Sequence, residues 1–273
     1  MAGAAAGSVV LVGCGRLGSA MVEGWLATRA VDPAGLIIIT PSEKPAAQRA
    51  RAAGARINPP LDEVAGASTV VLAVKPGVWR AATAGLSRVA EDATILSVMA
   101  GVRAAAIGSV FAANPIARVM PTTGVAQARG VASIWSDDAG ARAVAHALFD
   151  PVAETIDLPE EAMMDAATAM SGSGPAYVHA LTQALAQAGV RAGLPGVEAE
   201  RLARATLASA VAEQAGGEPL DALIARVASP GGTTEAGLAV LRADEALERL
   251  MTATVAAAVR RAGELGAAAQ RET

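Results

Sequence analysis

"VVLVGCGRLGSA", Val9 to Ala20, runs four strand-forming residues into a glycine-rich turn and then into a helical pattern. Gly13, Gly15 and Gly18 stand at G-x-G-x-x-G spacing, directly after a strand signal and at the opening of a helix. In that setting the first glycine permits the tight turn and the second lets backbone approach a pyrophosphate. The third brings helix and strand close together, and the helix N-terminus faces the anion. The competing reading is an ordinary strand–helix turn in a chain rich in alanine and glycine. Cys14, inside the turn, reads as a small filler and not as a redox group.

Outward from this loop, strand and helix patterns alternate. "RLGSAMVEGWLATRA" is helical and "LIIIT" a strand; "EKPAAQRARAAG" is helical again, before the strand "STVVLAVKP" and the helical "GVWRAATAGLSRVA". "TILSVMAG", "ARVMPTT", "GVASIWS" and "VAETID" continue the strands, with "AGARAVAHALF" as one more helix. Short buried strands alternating with helices predict a doubly wound, largely parallel sheet. Beyond about Glu160 the strand signal ends, leaving Ala/Leu-rich helical pattern broken by "SGSGP", "GLPG", "AGGEP" and "SPGG". The expected organisation is an α/β dinucleotide-binding domain over 1–159 and an all-α domain over 160–273.

Composition narrows the function. Across 273 residues, 53% are apolar but only 2% aromatic, so alanine and valine must fill the core. A net charge of −4 with no basic tract argues against nucleic-acid binding. The single cysteine fits a reducing cytosol, and the N-terminal residues lack the basic lead of a signal peptide. The charge-free run from Ala166 to Val190 is long enough to span a membrane, but it contains "SGSGP", a histidine and two glutamines. It reads as a loop and a helix buried on most sides at a subunit interface. A soluble, cytoplasmic protein without membrane or nucleic-acid partners is expected.

The end of the second strand should carry the cofactor preference, since an Asp or Glu there would bind a ribose 2′-hydroxyl. This chain offers Thr40, Ser42 and Lys44, hydroxyls and a cation that suit a 2′-phosphate, so NADPH is preferred with NADH as the alternative. Lys44 and Lys75 are the only lysines. Lys75 ends the strand in "VVLAVKP", at the edge where open α/β sheets bind ligands; a solvated loop cation is the alternative reading.

"SPGGTT", Ser229 to Thr234, interrupts the helical half with residues that are poor inside helices. Its glycines allow a tight turn, after which the N–H groups of Gly232, Thr233 and Thr234 would be free donors at a helix start, ready for a carboxylate. The plain alternative is a helix capped by Ser229 or a threonine. In "SGSGPAY", Ser171, Ser173 and the only tyrosine, Tyr177, can line a pocket or merely join two helices. His146 reads as a surface or packing residue and His179 as core or interface. Asp137-Asp138 and Glu160-Glu161 read as helix-start charges, and no metal-ligand spacing is visible.

"AVKP", "RVMPTT", "SGSGPAYV", "AGVRAGLP" and above all "VASPGGTTEAGLAVLRAD" occur in the order and spacing of the pyrroline-5-carboxylate reductases, which the chain resembles over nearly its full length. The resemblance implies a helical domain that interlocks two subunits, dimers that associate further into decamers, and reduction of Δ1-pyrroline-5-carboxylate to L-proline. By the same resemblance Thr234 acts on the ring nitrogen as the catalytic residue. Ser229, Gly231, Gly232, Thr233, Ser171, Tyr177 and Glu213 contact the substrate. The residues expected to hold the cofactor are Gly13, Cys14, Gly15, Arg16, Leu17, Gly18, Thr40, Ser42, Lys44, Asn58, Ala73, Val74, Lys75, Pro76, Met120 and Pro121. The chain departs from the usual "RVMPNTP" at Thr122 and Gly124, near the nicotinamide end. Two rivals follow: a reductase of a related cyclic imine, and a regulatory NADP(H)-binding protein without turnover.

Overall fold

Val9–Val12, the first strand (β1), is buried on both faces, because its alternate residues enter different cores. Val9 and Leu11 join Met21, Val22, Trp25, Ala46, Ala47 and Phe149 on one side; Val10 and Val12 join Trp79, Leu86, Ile107 and Phe111 on the other. This period-two division is what a strand inside a two-sided α/β sheet requires. The computed structural model describes residues 7–86 and 92–271.

In chain order the sheet part contains β1, α1 (Arg16–Thr28), β2 (Leu36–Ile39), α2 (Pro45–Ala52), β3 (Arg56–Ile57), β4 (Thr69–Leu72), α3 (Trp79–Ala82) and β5 (Thr94–Ser97). It continues with α4 (Ala104–Gly108), β6 (Ile116–Pro121), β7 (Gly130–Trp135), α5 (Ala139–Phe149), β8 (Ala153–Asp157) and α6 (Met164–Ala167). The strands lie in the order β3-β2-β1-β4-β5-β6-β7-β8. All neighbours are parallel except β6 and β7, which run antiparallel. The doubly wound, largely parallel sheet is therefore present, and its parallel strands end along one edge.

Local chemistry explains the elements. Pro45 at the first position starts α2, whose Ala46, Ala47 and Ala50 let it lie close on the sheet. The Asp138 carboxylate accepts the Ala141 N–H (2.7 Å) and caps α5. Trp25 Nε1–H donates to the Leu148 carbonyl (2.9 Å), and its ring meets Phe149 edge-on, joining α1 to α5. Two expectations change. The two-residue β3 had no periodic signal, and "GVWRAATAGLSRVA" folds as a 3-10 turn, Pro76–Val78, and the one-turn α3; its residues 87–90 lie outside the described residues.

The chain divides into two compact units, 1–172 with 258–273, and 173–257. After a π-helical turn, Thr168–Gly172, come α7 (Gly174–Arg191), α8 (Gly196–Gln214), α9 (Leu220–Val227), α10 (Thr233–Arg242) and α11 (Ala246–Arg271). Asp244 and Glu245, both at positive φ, break the last helical pattern between α10 and α11. The end of α11 belongs to the sheet unit. There a Cβ on Gly266 would lie 2.4 Å from the Gly101 carbonyl oxygen, so the backbones touch.

Within the helical unit only Ala199, Ala203 and Leu223 are buried among the described apolar residues. The helix expected to be buried on most sides, α7, has no buried residue in the single chain, and Leu181 and Leu185 stand 62% and 52% exposed. Its apolar stripe is left unpartnered by the chain's own fold. No described helix is long and apolar enough to cross a membrane.

His146, near the end of α5, sits between two carboxylates: Nδ1 is 2.9 Å from Asp150 and Nε2 3.1 Å from Asp157. The Asp150 hydrogen bond leads in raising its pKa above the ordinary 6.5. The clamp ties α5 to β8 most strongly when the ring is charged. Its contribution should be full below about pH 6.5 and fade as pH rises through the higher folded value. Half-exposed partners keep it small. The expected result is a His146→Gln melting point about 1–3 °C below wild type at pH 6, with the gap closing by pH 9. Thermal unfolding at both pH values checks it.

Candidate active site

Gly13 adopts φ +101° and its N–H donates to the Ile39 carbonyl (2.8 Å). A Cβ there would lie 2.5 Å from the Ala73 carbonyl oxygen, so this glycine touches the ends of β2 and β4 at once. A Cβ on Gly18 would lie 2.2 Å from the Gly13 carbonyl oxygen, which sets how closely α1 packs on β1. Gly15, the N-cap of α1, faces open space. No side chain caps α1 and no acidic residue stands in its first turn. Among the described residues the N–H groups of Arg16, Leu17 and Gly18 have no hydrogen-bond partner. Open space, free donors and a helix N-terminus together fit a pyrophosphate. Cys14 is buried beneath the loop, burial pushes its thiol pKa up, and Sγ lies 3.6 Å from the Ser19 hydroxyl.

The end of β2 divides into a buried framework and an exposed rim. The Asn58 side chain accepts the Thr40 N–H (2.8 Å) and donates to the Thr40 carbonyl (2.8 Å). Asn58 itself adopts φ +50°, and the Thr40 hydroxyl donates to the Ser42 carbonyl (3.0 Å). These two expected contact residues thus use their side chains to hold the loop. Ser42 and Lys44 stay exposed, while Glu43 is paired with Arg51. Lys75, after β4, is exposed and precedes the 3-10 turn at Pro76. Among the described residues Arg16, Lys44 and Lys75 have no salt-bridge partner, so three free cations stand beyond the ends of β1, β2 and β4, Arg16 as the first residue of α1.

Met120 and Pro121 are buried at the end of β6. Beyond them Thr122 closes the turn into β7: its N–H donates to the Val131 carbonyl (2.9 Å), and its hydroxyl accepts the Val131 N–H (3.0 Å). Gly124 follows in a tight turn where a Cβ would lie 2.8 Å from the Arg129 carbonyl oxygen. On α1, a Cβ on Gly24 would lie 2.1 Å from the Val125 carbonyl oxygen. The two departures from the usual pattern therefore belong to one self-satisfied turn seated on α1.

In the helical unit, Gly231 adopts φ +71° and donates its N–H to the Glu235 carboxylate (2.6 Å). The Gly232 N–H, expected to be free, donates to the Ser229 carbonyl (3.0 Å). The free donors are instead those of Thr233, Thr234 and Glu235, one residue further into α10, among the described residues. No side chain caps the helix, so neither Ser229 nor a threonine does so. Thr234 and Glu213 line one groove of about 720 Å³ with Thr206, Ser209, Leu223, Val227 and Leu238. Ser171 and Tyr177 are not in its lining; the Ser171 hydroxyl donates to the Ala167 carbonyl within the π-helical turn (2.9 Å). His179 is exposed and lines a separate groove between α7 and α8.

Three charged groups had no local sequence signal. Arg226 pairs with Glu213, and Glu235 reaches back to Gly231. Glu161, read as a helix-start charge, accepts from the fully buried Arg118 (3.0 Å) and from the Ala104 N–H (2.7 Å). Burial lowers the Arg118 pKa and the Glu161 charge opposes that. Among the described residues no group of His, Cys, Asp and Glu side chains could hold a metal ion.

A largely parallel sheet in this order, with an open glycine loop at its strand ends, is the architecture of a dinucleotide-binding protein. Comparison with known proteins refines that class. Residues 161–265 match the family model described as pyrroline-5-carboxylate reductase dimerisation, and residues 8–101 match NADP oxidoreductase coenzyme F420-dependent. A pyrroline-5-carboxylate reductase of Synechocystis is 35% identical over 94% of this chain and 97% of its own. One from Arabidopsis thaliana is 33% identical over 92% and 93%. The Coxiella burnetii pyrroline-5-carboxylate reductase structure superposes with a TM-score of 0.86 at 27% identity, covering 95% and 98% of the two chains. That of Plasmodium falciparum, solved with NADP bound, has the same fold at a TM-score of 0.81 and 24% identity, over 95% and 98%. The chain belongs to the pyrroline-5-carboxylate reductase family of oxidoreductases.

Replacing Asn58 with alanine removes two hydrogen bonds and puts at its positive φ a residue that tolerates that conformation less well than asparagine does. A loss of about 1–2 kcal/mol is expected, read as a lower urea midpoint. Weakened NADPH binding in calorimetry should accompany it, because the loop before Ser42 and Lys44 is released.

Proposed function

We propose that the protein reduces Δ1-pyrroline-5-carboxylate to L-proline with NADPH, NADH being the alternative donor. The observation that carries this reading is the groove shared by Thr234 and Glu213 beside the uncapped start of α10, in a member of this family. When bound, NADPH supplies the hydride. The free N–H groups of α1 would hold its pyrophosphate, and Ser42 with Lys44 would face the 2′-phosphate. At α10, the N–H groups of Thr233, Thr234 and Glu235 would hold the substrate carboxylate, with a helix-dipole contribution of about 0.3–1 kcal/mol.

The Thr234 hydroxyl would hydrogen-bond the ring nitrogen. As hydride reaches the carbon of the C=N bond, the π electrons move to nitrogen, and an iminium substrate already carries the proton it keeps. No histidine acid is then required, which suits a groove with no histidine in its lining. Residues 1–159 would serve the cofactor, and 160–273 the substrate and dimerisation. A cytoplasmic homodimer, assembling further into a decamer, is part of the reading. So is the absence of membrane or nucleic-acid partners, supported by the net charge of −4.

Mixing the purified protein with NADPH and pyrroline-5-carboxylate should give steady loss of nicotinamide absorbance. Cofactor binding without turnover would overturn the activity in favour of a regulatory protein. Turnover confined to a six-membered cyclic imine would mark a related reductase. Thr234→Ala should lower kcat at least about tenfold, or about 1.4 kcal/mol, with NADPH affinity unchanged. The pair Ser42→Ala with Lys44→Ala should raise the KM for NADPH by about ten- to a hundredfold and leave that for NADH near wild type. Steady-state kinetics with each donor measures both.

A further inference from the structure

Resting on that activity, we infer that Arg226 is a positioning residue for the reduction: it fixes the Glu213 carboxylate on the wall of the Thr234 groove. Glu213 lies in the last turn of α8, where the exposed carbonyl ends of the helix repel a carboxylate. Arg226 supplies the missing counter-charge. Its Nη2 donates to Glu213 Oε2 (2.9 Å) and its Nη1 to Glu218 Oε2 (2.7 Å). A planar guanidinium spans both carboxylates in one rigid fork, which a lysine ammonium cannot reproduce.

The placement of Arg226 makes its action indirect. Leu220, Leu223, Ile224 and Val227 of the same helix, α9, form groove wall, whereas Arg226 is not in the lining. It reaches the groove only through Glu213. With Oε2 tied, Glu213 Oε1 has no hydrogen-bond partner among the described residues and remains available to a protonated ring nitrogen. The arginine charge also tempers the field of Glu213 against the carboxylate that the same substrate carries. An ion pair this exposed contributes little to stability, so its effect should appear in substrate kinetics.

The experiment measures kcat and KM for pyrroline-5-carboxylate from pH 6 to 9 in wild type, R226A, R226K, E213Q, E218Q and the double variant R226A/E213Q. Wild-type turnover tests the activity itself. Expected for R226A is a rise of about tenfold in substrate KM, an unchanged NADPH KM and an altered pH profile. R226K should recover part of the loss and E218Q should stay near wild type. The double variant should be no worse than E213Q, because Arg226 then has nothing left to position. With wild-type turnover intact, either of two results overturns the role of Arg226 alone: an R226A substrate KM equal to wild type, or R226A and E213Q effects that multiply. E218Q matching R226A would also overturn it, since loop closure would then be the whole effect. Melting points of all variants separate these outcomes from misfolding.

Discussion

The sheet unit depends on a backbone-to-backbone contact where β1 runs into α1. A Cβ on Gly18 would lie 2.2 Å from the Gly13 carbonyl oxygen, and one on Gly13 would strike Ala73. No side chain can enter either place, so α1 must start within touching distance of the ends of β1 and β4. Everything at the strand-end edge follows from this. The free N–H groups of α1 face outward at Gly15, and the same helix continues to Gly24, where it seats the turn after β6 against the Val125 carbonyl. One helix therefore fixes both the proposed pyrophosphate site and the turn carrying Thr122 and Gly124. That turn closes its own hydrogen bonds, so its altered sequence is absorbed locally instead of disturbing the loops beside it.

The helical unit works under the opposite constraint. Its chain provides three buried apolar residues and a long series of exposed ones along α7, α8, α10 and α11. Burial of that order cannot offset the conformational entropy of ordering about eighty residues. A second chain is needed to complete a core, consistent with the dimerisation family that matches this region. The polar features of the unit are held locally instead, by Glu235 on Gly231 and by Arg226 on Glu213 and Glu218. The groove that contains Thr234 is thus shaped within one chain, even though the unit's apolar surface is not.

Legibility in the sequence tracked the range of the interaction. The glycine loop, the alternating strands and the break at "SPGGTT" are signals contained in a few neighbouring residues, and each has its counterpart in the fold. A two-residue strand such as β3 contains too few residues to show a period, and it is fixed by pairing with β2. The charged pairs were hidden for a different reason. Arg118 and Glu161 are 43 residues apart, and Arg226 meets Glu213 only after the chain reverses between α8 and α9. The shift of the free donors from Gly232 to Glu235 was hidden too, because it depends on which carbonyl the Gly232 N–H meets in the turn.

α1 and α10 use the same device with one difference. Both start from a glycine in extended conformation, and neither has a side-chain cap. The first turn of α1 is free of acidic residues, as a doubly charged pyrophosphate would need. The first turn of α10 contains Glu235, which would repel an arriving carboxylate if it faced the same side of the helix start as Thr234. It faces the other side. Its carboxylate turns back to the Gly231 N–H and lines the groove between α9 and α10, while Thr234 lines the other groove. A single carboxylate ligand can then occupy the free donors on the Thr234 side, with Glu235 holding the glycine turn from behind. The acidic residue in "SPGGTTEAG" is in this way compatible with an anion site: adjacent positions on a helix point about 100° apart, and that rotation keeps the two negative charges on different faces.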